Sequence, residues 1–283
     1  MKVSIVTISF NQAEYLERAL TSVLNQGYDD LEYIVVDAGS TDGSHDIIER
    51  YRDRIDRVIM EPDRGPADGL NKGFALASGE LFGYINSDDV LLDQAVEKAV
   101  AAFERTPSAD VVYGHGYIVD EAERPIRRFR SNRFHRWRFV HGAVVVMQQA
   151  TFFRSTAFKR VGGFNTSRKA HWDGEFLLDL SLAGARFHRV EDYWGLFRIH
   201  EASITARHWQ GSTSLVKEIR DRNAELRERV TGQPPRPSDD LRVVAARVAK
   251  WVVEPVGLYW RIVDKLRPPK IPTPRSSTRD RSV

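Results

Sequence analysis

The sequence predicts an α/β protein in which a mostly parallel sheet is flanked by helices and followed by a helical C-terminal extension. Three observations support this prediction. Short apolar runs rich in β-branched residues alternate with amphipathic segments through residues 1–115. Polar turn motifs such as GSTDGS separate these runs. Beyond a Pro-rich break at 231–240, the apolar pattern has a helical period.

The predicted strands are continuous apolar runs, which are typical of strands buried on both faces. They lie at 3–8, 31–37, 57–60, 81–86 and 110–114. Helices are predicted between them, because apolar residues recur there three and four positions apart. These helices lie at about 16–24, 44–51, 67–78 and 92–104, with a later one at about 173–183. Strands that alternate with helices predict parallel neighbours joined by crossover connections.

Composition and charge narrow the class of protein. The chain has 283 residues and no cysteine, which excludes disulfides and thiolate metal sites and fits a reducing compartment. Residues 239–283 carry ten basic and five acidic side chains, whereas residues 1–238 carry 32 basic and 34 acidic ones. The basic character therefore belongs to the tail, which argues against a nucleic-acid partner for the main domain.

The sequence has no stretch that approaches the roughly 18 uncharged apolar residues of a membrane span. The N-terminal stretch MKVSIVTISFNQ has too short an apolar core for a secretory signal and is predicted as a strand. We therefore expect a cytoplasmic protein that can lie at the inner face of the membrane.

Polar side chains stand at the ends of three predicted strands, in the motifs TIS, VVD and INSDD. Ligands bind at the carboxyl ends of strands in open parallel sheets. The paired carboxylates of Asp88 and Asp89 suit Mg²⁺ or Mn²⁺, and these cations suit a diphosphate. The alternative is a solvated turn that caps the next helix. Neither GxGxxG after the first strand nor GxxxxGK[ST] is present, so a dinucleotide fold and a P-loop NTPase are disfavoured.

Six segments together resemble glycosyltransferase family 2, whose members have the GT-A fold. In chain order they are SIVTISFNQAEYLERALTSVLNQ, EYIVVDAGSTDGS, EPDRGPADGLNKGFALASGELFGYINSDD, QQATFFRSTAFKRVGGF, HWDGEFLLDLSLAG and FRIHEASIT. They cover most of residues 3–205. The resemblance implies an inverting enzyme that moves a sugar from a nucleoside diphosphate sugar to a glycan or lipid-linked acceptor, assisted by Mn²⁺ or Mg²⁺. UDP is the commonest nucleotide in the family, with dTDP and GDP as alternatives.

The resemblance also implies roles for individual residues on the nucleotide side. Asp37 is expected to contact the base, with Thr7 and Ser9 lining the same pocket. Further residues are expected to run beside the donor: Arg64, Asp68 and Asn71. In INSDD the first position is Asn86 where Asp is commoner, so the charge of the metal and ribose motif must come from Asp88 and Asp89. His200, in FRIH, is a further candidate metal ligand, since neutral imidazole binds such cations.

On the acceptor side, Asp173 in HWDGEF matches the general base of the family. An acceptor hydroxyl must lose its proton as it attacks, and a positioned carboxylate accepts that proton. The alternative role for Asp173 is an N-cap, and Glu175 is a second candidate base. Gln149 and Arg198 are expected to contact the acceptor or the diphosphate, since the forked guanidinium suits phosphate oxygens.

The resulting domain prediction is a catalytic domain at 1–210, with a nucleotide-sugar half at about 1–115 and an acceptor half at about 116–210. A helix at 211–231, a basic amphipathic helix at 239–267 and a disordered tail at 268–283 follow. The apolar face of segment 241–267, which contains Trp251 and Tyr259, predicts contact with a membrane surface, packing on the domain, or a homodimer. Two functional alternatives stay open, a sugar-1-phosphate nucleotidyltransferase and an inactive sugar-nucleotide-binding module.

Overall fold

The computed structural model describes residues 1–167, 171–203, 213–234, 243–246 and 255–272. Within the predicted helix at 239–267, residues 239–242 and 247–254 lie outside the described residues. Most of the predicted disordered tail and of the Pro-rich break also lies outside them.

The described strands form one mixed sheet. They are β1 (Val3–Ser9), β2 (Leu31–Asp37), β3 (Arg57–Met60), β4 (Leu81–Asn86), β5 (Val90–Leu91), β6 (Val111–Val119), β7 (Pro125–Phe129), β8 (Thr151–Arg154) and β9 (Phe187–Arg198). Their order is β3-β2-β1-β4-β8-β6-β9-β5, and β7 pairs with β6. Neighbours from β3 to β4 are parallel, as are β6 and β9, whereas β8 runs antiparallel to both of its neighbours. The predicted mostly parallel sheet is thus confirmed.

Helices cover both faces of this sheet. They are α1 (Ala13–Leu24), α2 (Ser44–Arg50), α3 (Pro66–Leu76), α4 (Ala95–Arg105), α5 (Arg136–Val140), α6 (Ser155–Val161), α7 (Trp172–Leu182), α8 (Thr213–Thr231) and α9 (Pro255–Leu266). One buried cluster joins α1, α2 and α4 to the sheet, and a second joins α3, α6 and α7 to the opposite face. Along β1, Val3 and Ile5 enter the first cluster while Val6 and Ile8 enter the second, which is the alternation expected of a strand buried on both sides.

Close approach of α3 to the sheet depends on a glycine. A β-carbon added to Gly73 would lie 2.5 Å from Val6 Cγ1 and 3.2 Å from Val36 Cγ2. The helix therefore packs directly on β1 and β2, and this contact fixes the start of α3 near the carboxyl ends of those strands.

The structure adds two features to the predicted first half. The predicted strand at 110–114 is the start of the longer β6, and β8 separates it from β4. The two-residue β5 precedes α4, which begins at Ala95 and not at about 92. Val90 pairs with Leu196 of β9, so a partner from far along the chain creates this strand, and local periodicity does not contain that information.

The C-terminal helices pack on the second half of the domain. Leu226 of α8 forms a buried cluster with Val140 of α5 and Leu178 of α7. On α9, Asp264 is buried, accepts a hydrogen bond from the backbone N–H of Arg128 in β7 at 2.7 Å, and forms an ion pair with the Arg128 guanidinium. Among the described residues, no helix is both long and apolar enough to cross a bilayer.

Candidate active site

The polar motifs predicted at the strand ends lie at one rim of the sheet. Ser9 at the end of β1 is in register with Asp37 at the end of β2. On the other side of β1, Ile8 pairs with Asn86 at the end of β4. Because these strands are parallel, their carboxyl ends bring three predicted motifs together at this edge.

Asp37 is fully buried and organises the loop that follows β2. Its Oδ1 accepts hydrogen bonds from the N–H groups of Gly39 and Ser40 at 3.0 and 2.7 Å, and Oδ2 accepts one from the Ser40 hydroxyl at 2.7 Å. The ring of His45 lies 2.9 Å from Oδ1, with its side chain 42% exposed. The loop is therefore held in a fixed shape beside the end of β1.

The three residues that end β1 have different surroundings. Thr7 is fully buried and accepts a hydrogen bond from the Tyr33 hydroxyl at 2.8 Å, so its side chain packs in the core and its predicted nucleotide contact gains no support. Ser9 Oγ is buried without a hydrogen-bond partner among the described residues. Phe10 is 58% exposed, which is unusual for an aromatic ring at the end of a buried strand.

The predicted donor segment forms the start of α3. Arg64 pairs with Asp68 at 2.9 Å, and Asp68 also accepts a hydrogen bond from the Arg64 N–H at 3.0 Å. The Asn71 amide bonds the backbone N–H and carbonyl of Phe164 at 2.9 and 2.8 Å. Arg64 is thus exposed at the rim, whereas Asn71 ties α3 to the turn after α6 and has a structural contact.

Asp89 lies at the centre of a buried hydrogen-bond network. Its Oδ2 accepts from Gln149 Nε2 at 2.7 Å and from Asn86 Nδ2 at 3.1 Å, and its Oδ1 accepts from the Arg198 N–H at 3.1 Å. Burial raises the pKa of the Asp89 carboxyl well above its ordinary value, and the nearby charge of Asp88 adds to the rise. Both carboxylate oxygens are engaged by protein donors, so the predicted metal role of Asp89 gains no support from its surroundings.

Gln149 therefore lies inside the protein and not on an acceptor surface, since it is 6% exposed and bonds Asp89. A β-carbon on Gly195 of β9 would lie 2.7 Å from both the Cβ and the carbonyl oxygen of Gln149. The absence of a side chain at Gly195 allows this close approach. It holds the Gln149 amide against the acid motif, which we define as Asp88 and Asp89.

Asp88 is the carboxylate of the pair that reaches a potential ligand site. Its Oδ2 lies 3.0 Å from His200 Nε2, which follows the end of β9. The neighbouring Asn86 Oδ1 is buried and lacks a hydrogen-bond partner among the described residues. A carboxylate, an imidazole and an amide oxygen are donors that Mn²⁺ and Mg²⁺ accept in proteins, particularly where phosphates supply the remaining ligands. In the described part of the chain, no three His, Cys, Asp or Glu side chains form a complete metal cluster.

Arg198 is enclosed by protein acceptors. Its Nε donates to the Asp88 carbonyl at 2.8 Å, Nη1 to the Glu121 carbonyl at 2.7 Å and Nη2 to Glu123 Oε1 at 2.8 Å. The guanidinium also lies over the Tyr15 ring, 4.9 Å from its centroid. With a side chain 3% exposed, Arg198 fixes the acid motif relative to β9, and its predicted contact with a diphosphate gains no support.

A cavity of about 330 Å³ opens beside His200. Its wall is formed by 11–15 at the start of α1, by Asp42 and by 200–202 together with Glu121. The His200 ring is 4.7 Å from the Tyr15 ring, which packs it against this wall. A ligand in the cavity is therefore within reach of the Asp88–His200 pair.

Asp173 lies in the first turn of α7. The residue before the helix, His171, has a φ of 59° in the left-handed region, and no side-chain cap is formed there. Burial raises the pKa of the Tyr84 hydroxyl well above its ordinary value, and the charges of Asp173 and Asp89 add to the rise. The Tyr84 ring also lies 5.7 Å from the ring of Trp172, the residue before Asp173. Tyr84 of β4 therefore contacts the start of α7, where the candidate base lies.

Glu175, the alternative base, is held in ion pairs. It is 3% exposed, forms an ion pair with Arg222, lies 3.2 Å from Arg229 and accepts a hydrogen bond from Asn165 at 3.1 Å. A carboxylate paired with two cations is a weaker proton acceptor than an unpaired one. The surroundings therefore favour Asp173 over Glu175.

The sequence model of glycosyl transferase family 2 matches residues 4–162, which is more than half of the chain. The match includes the polar motifs at the ends of β1, β2 and β4. The chain belongs to glycosyltransferase family 2. The predicted family and its enzyme class, a glycosyltransferase, are thereby confirmed.

Curated relatives in this family come from diverse bacteria. An uncharacterized glycosyltransferase of Nostoc sp. is 34% identical over 129 residues, covering 44% of this chain and 40% of the relative. A putative teichuronic acid biosynthesis glycosyltransferase of Bacillus subtilis, TuaG, is 37% identical over 130 residues, covering 45% of this chain and 51% of the relative. The match thus spans about half or less of each of these relatives.

Solved glycosyltransferases share the fold. Staphylococcus aureus TarS 1–349 in complex with UDP-GlcNAc has a TM-score of 0.62 at 18% identity, covering 94% of this chain and 78% of that chain. The mannosyltransferase PcManGT from Pyrobaculum calidifontis, in complex with GDP-Man and Mn²⁺, has a TM-score of 0.59 at 19% identity, covering 95% and 76%. The predicted GT-A fold of this family 2 glycosyltransferase is confirmed.

The sequence prediction missed two features of this family 2 site. Phe10 was not singled out, although an aromatic residue in a polar strand end, FN, is a signal that the sequence does contain. Asn86 Oδ1 has no hydrogen-bond partner among the described residues. Its orientation is set by the hydrogen bonds that Asn86 Nδ2 donates to Asp89 and Gln148, which no sequence pattern shows.

Proposed function

We propose that the chain transfers a sugar from a nucleoside diphosphate sugar to a hydroxyl group of a glycan or lipid-linked acceptor, with inversion at the anomeric carbon. The observation that carries this proposal is the contact between β4, which leads into Asp88 and Asp89, and the start of α7. The rings of Tyr84 and Trp172 lie 5.7 Å apart, and Asp173 directly follows Trp172. A single displacement requires a leaving-group site on one side of the anomeric carbon and a proton acceptor on the other side.

The nucleotide is proposed to lie over the ends of β1 and β2. The exposed ring of Phe10 offers a flat face for a base. The Ser9 hydroxyl, which has no hydrogen-bond partner among the described residues, and the Asp37 loop offer polar contacts at its edge. Similarity to proteins solved with UDP-GlcNAc and GDP-Man supports a nucleoside diphosphate as the ligand class. Uridine is the base we propose first, with guanosine and thymidine as the alternatives to test.

Asp88, His200 and the Asn86 oxygen are the residues that would hold a divalent cation. A bound Mn²⁺ or Mg²⁺ would neutralise the charge that develops on the departing diphosphate. Support for this proposal comes from the donor set and from the Mn²⁺ in the mannosyltransferase structure. Asp89 and Arg198 support these three residues, because their hydrogen bonds fix the position of Asp88.

Asp173 is the proposed general base. It would accept the proton of the acceptor hydroxyl while that oxygen bonds to the anomeric carbon on the face opposite the diphosphate. One carboxylate suffices for a single displacement, which gives inversion. Glu175 is engaged with Arg222 and Arg229 and is left out of this step.

A membrane surface is the proposed partner of α9. Tyr259, Ile262 and Leu266 are 60%, 54% and 83% exposed although they are apolar, and Lys265 and Arg267 beside them are exposed as well. An exposed apolar stripe with basic neighbours fits an anionic lipid surface, where the rings and aliphatic side chains insert and the cations contact headgroups. A homodimer through the same stripe is the outcome that would replace this proposal.

The donor proposal is tested by a thermal-shift screen of UDP, GDP and dTDP, each with and without Mn²⁺. A ligand that binds only the folded state raises the melting temperature by mass action. We expect one diphosphate to give the largest shift, and only with Mn²⁺. Incubation with the matching sugar nucleotide and analysis of the product anomer by NMR then tests inversion. Nucleotide binding without any turnover would indicate an inactive binding module.

A further inference from the structure

A strongly basic segment lies beside the candidate base and is not used by the steps above. Residues 124–141 contain seven arginines and no aspartate or glutamate. Part of this charge is matched within the protein, since Arg124 pairs with Asp120, Arg128 with Asp264 and Arg130 with Glu191. Two further cations of the segment, Arg136 and Arg138, lie in α5.

Arg136 and Arg138 of α5 have no carboxylate within ion-pair distance among the residues that the structure describes. Between them, Trp137 is 40% exposed and stacks on the His141 ring at 4.2 Å between centroids. Two cations that flank a half-exposed aromatic ring are suited to a ligand that carries both an anionic group and a sugar ring, because guanidinium pairs with oxyanions and indole packs on apolar ring faces.

Phe139 and Val140 at the end of α5 place this surface next to the start of α7. A β-carbon on Gly174 would lie 3.4 Å from Phe139 Cζ, and Gly174 directly follows the candidate base Asp173. Val140 packs with Leu178 one turn further along α7. An acceptor whose hydroxyl reaches Asp173 therefore has α5 as an immediate neighbour.

We infer that Arg136, Trp137 and Arg138 bind an oxyanion on the acceptor, so that the substrate class is a negatively charged glycan or sugar phosphate. This inference rests on the proposed transfer reaction, because it assigns a role on the acceptor side of that site. Each guanidinium can make bidentate contacts to either a phosphate or a carboxylate group. The shared chemistry is the oxyanion, and the experiment separates its two sources.

The experiment measures binding of fluorescein-labelled polyphosphate and of fluorescein-labelled polygalacturonate by anisotropy, with UDP and Mn²⁺ present to fill a diphosphate site and again without them. The test variant is Arg136→Gln with Arg138→Gln. The matched control is Arg57→Gln with Arg105→Gln, which removes the same charge from exposed positions on β3, at the far edge of the sheet, and at the end of α4. A third variant is Trp137→Ala.

We expect the parent protein to bind at least one polymer with UDP present, and the test variant to bind it roughly tenfold more weakly. The control should stay within about twofold of the parent, because distant surface charges are screened by salt. The polymer bound more tightly identifies the anion as phosphate or carboxylate. Trp137→Ala should weaken polygalacturonate and leave polyphosphate unchanged, since only the former presents sugar rings.

Two results would overturn the inference: no binding of either polymer by the parent, or equal losses in the test and control variants, which would show a diffuse charge effect. The nucleotide-induced thermal shift of each variant is measured in parallel. If that shift is absent from the parent while polymer binding still depends on Arg136 and Arg138, the transfer proposal fails and the anion site stands.

Discussion

The imidazole Nε2 of His200 lies 3.0 Å from Asp88 Oδ2, although the two residues are 112 positions apart in the chain. At this distance the two side chains can hydrogen-bond to each other. A divalent cation bound by both groups would replace this contact. The pair therefore joins the end of β4 to the residues after β9 at the proposed cation site.

The first prediction follows from this pair. Asp88→Asn should weaken Mn²⁺-dependent nucleotide binding by about tenfold or more, because a neutral amide replaces a charged ligand. Isothermal calorimetry of UDP binding, with and without Mn²⁺, checks this. Asp29→Asn, at an exposed turn, is the control. Equal UDP affinity in EDTA and in Mn²⁺ for the parent protein would remove the metal from the proposal.

A second prediction separates the two acids of the motif. Asp89→Asn should lower the melting temperature, because the amide cannot accept hydrogen bonds from Gln149, Asn86 and the Arg198 N–H all at once. Asp88→Asn should leave the melting temperature of the unliganded protein nearly unchanged. Calorimetric unfolding of the two variants measures the difference, and a reversed order would mean that Asp88 is the structural acid.

The third prediction concerns the base. Asp173→Asn should reduce transfer by ~10²–10⁴-fold, the usual contribution of a general base, with nucleotide affinity unchanged. Glu175→Gln should instead destabilise the protein by about 3 kcal/mol, since it leaves Arg222 and Arg229 without their buried partner. Steady-state kinetics and chemical denaturation of both variants are compared. An inactive but stable Glu175→Gln beside an active Asp173→Asn would assign the base to Glu175.

The fourth prediction tests the base-stacking surface. Phe10→Ala should weaken nucleotide binding by roughly 1–3 kcal/mol, the range for loss of one base–aromatic contact. Because the ring is 58% exposed, the melting temperature of the unliganded protein should change little. Leu76→Ala, at another exposed apolar position, is the matched control and should leave nucleotide affinity as it is. Unchanged UDP affinity in Phe10→Ala would place the base elsewhere.

A fifth prediction uses a pH-sensitive group outside the site. Burial lowers the pKa of His115, whose Nε2 lies 3.1 Å from Glu191 and whose Nδ1 accepts the Ser131 N–H; Arg130 and Arg189 also face it. With a folded pKa below the unfolded value of roughly 6.5, the unfolded state binds more protons, so stability falls as pH drops below that value. His115→Gln should flatten this slope in denaturation curves, whereas His135→Gln, at an exposed site, should retain it.

The membrane proposal gives a prediction with a clear alternative. Ile262→Ser with Leu266→Ser should reduce co-sedimentation with liposomes that contain anionic lipid, while nucleotide binding is unaffected. Asp264 is untouched in this variant, so the contact of α9 with β7 is preserved. Unchanged co-sedimentation, together with loss of a dimer in sedimentation velocity, would assign the stripe to self-association.

Local patterns predicted the first half of the fold well. Strands β1, β2 and β4 are buried along almost their whole length, so their apolar runs are continuous, whereas the edge strand β3 is partly exposed. The observed bounds of all four strands lie within one residue of the predicted ones. The second half was less predictable because β8 runs antiparallel between β4 and β6, and its partners lie far away in sequence. Register between such strands is a tertiary property that residue spacing does not encode.

The same limit applies to the site. The sequence motif identified Asp88 and Asp89 together, but their different roles depend on which way each side chain points from the turn after β4. Arg198 was predicted to meet a diphosphate from its residue type, whereas the carbonyl groups of Asp88 and Glu121 occupy its donors. Residue chemistry therefore identified which residues lie near the site. Long-range hydrogen bonds determine which of their side chains are engaged within the protein.

The ion pairs between Glu175 and α8 have a consequence for how this enzyme can be divided. A chain cut at the predicted boundary of 210 would retain Glu175 in a pocket that leaves it 3% exposed and would discard both of its arginines. Chimeras that exchange acceptor halves between family members would therefore have to carry α8 through Thr231 as part of the exchanged piece. The smallest transplantable acceptor unit includes a helix that begins more than 50 residues after the family match ends at residue 162.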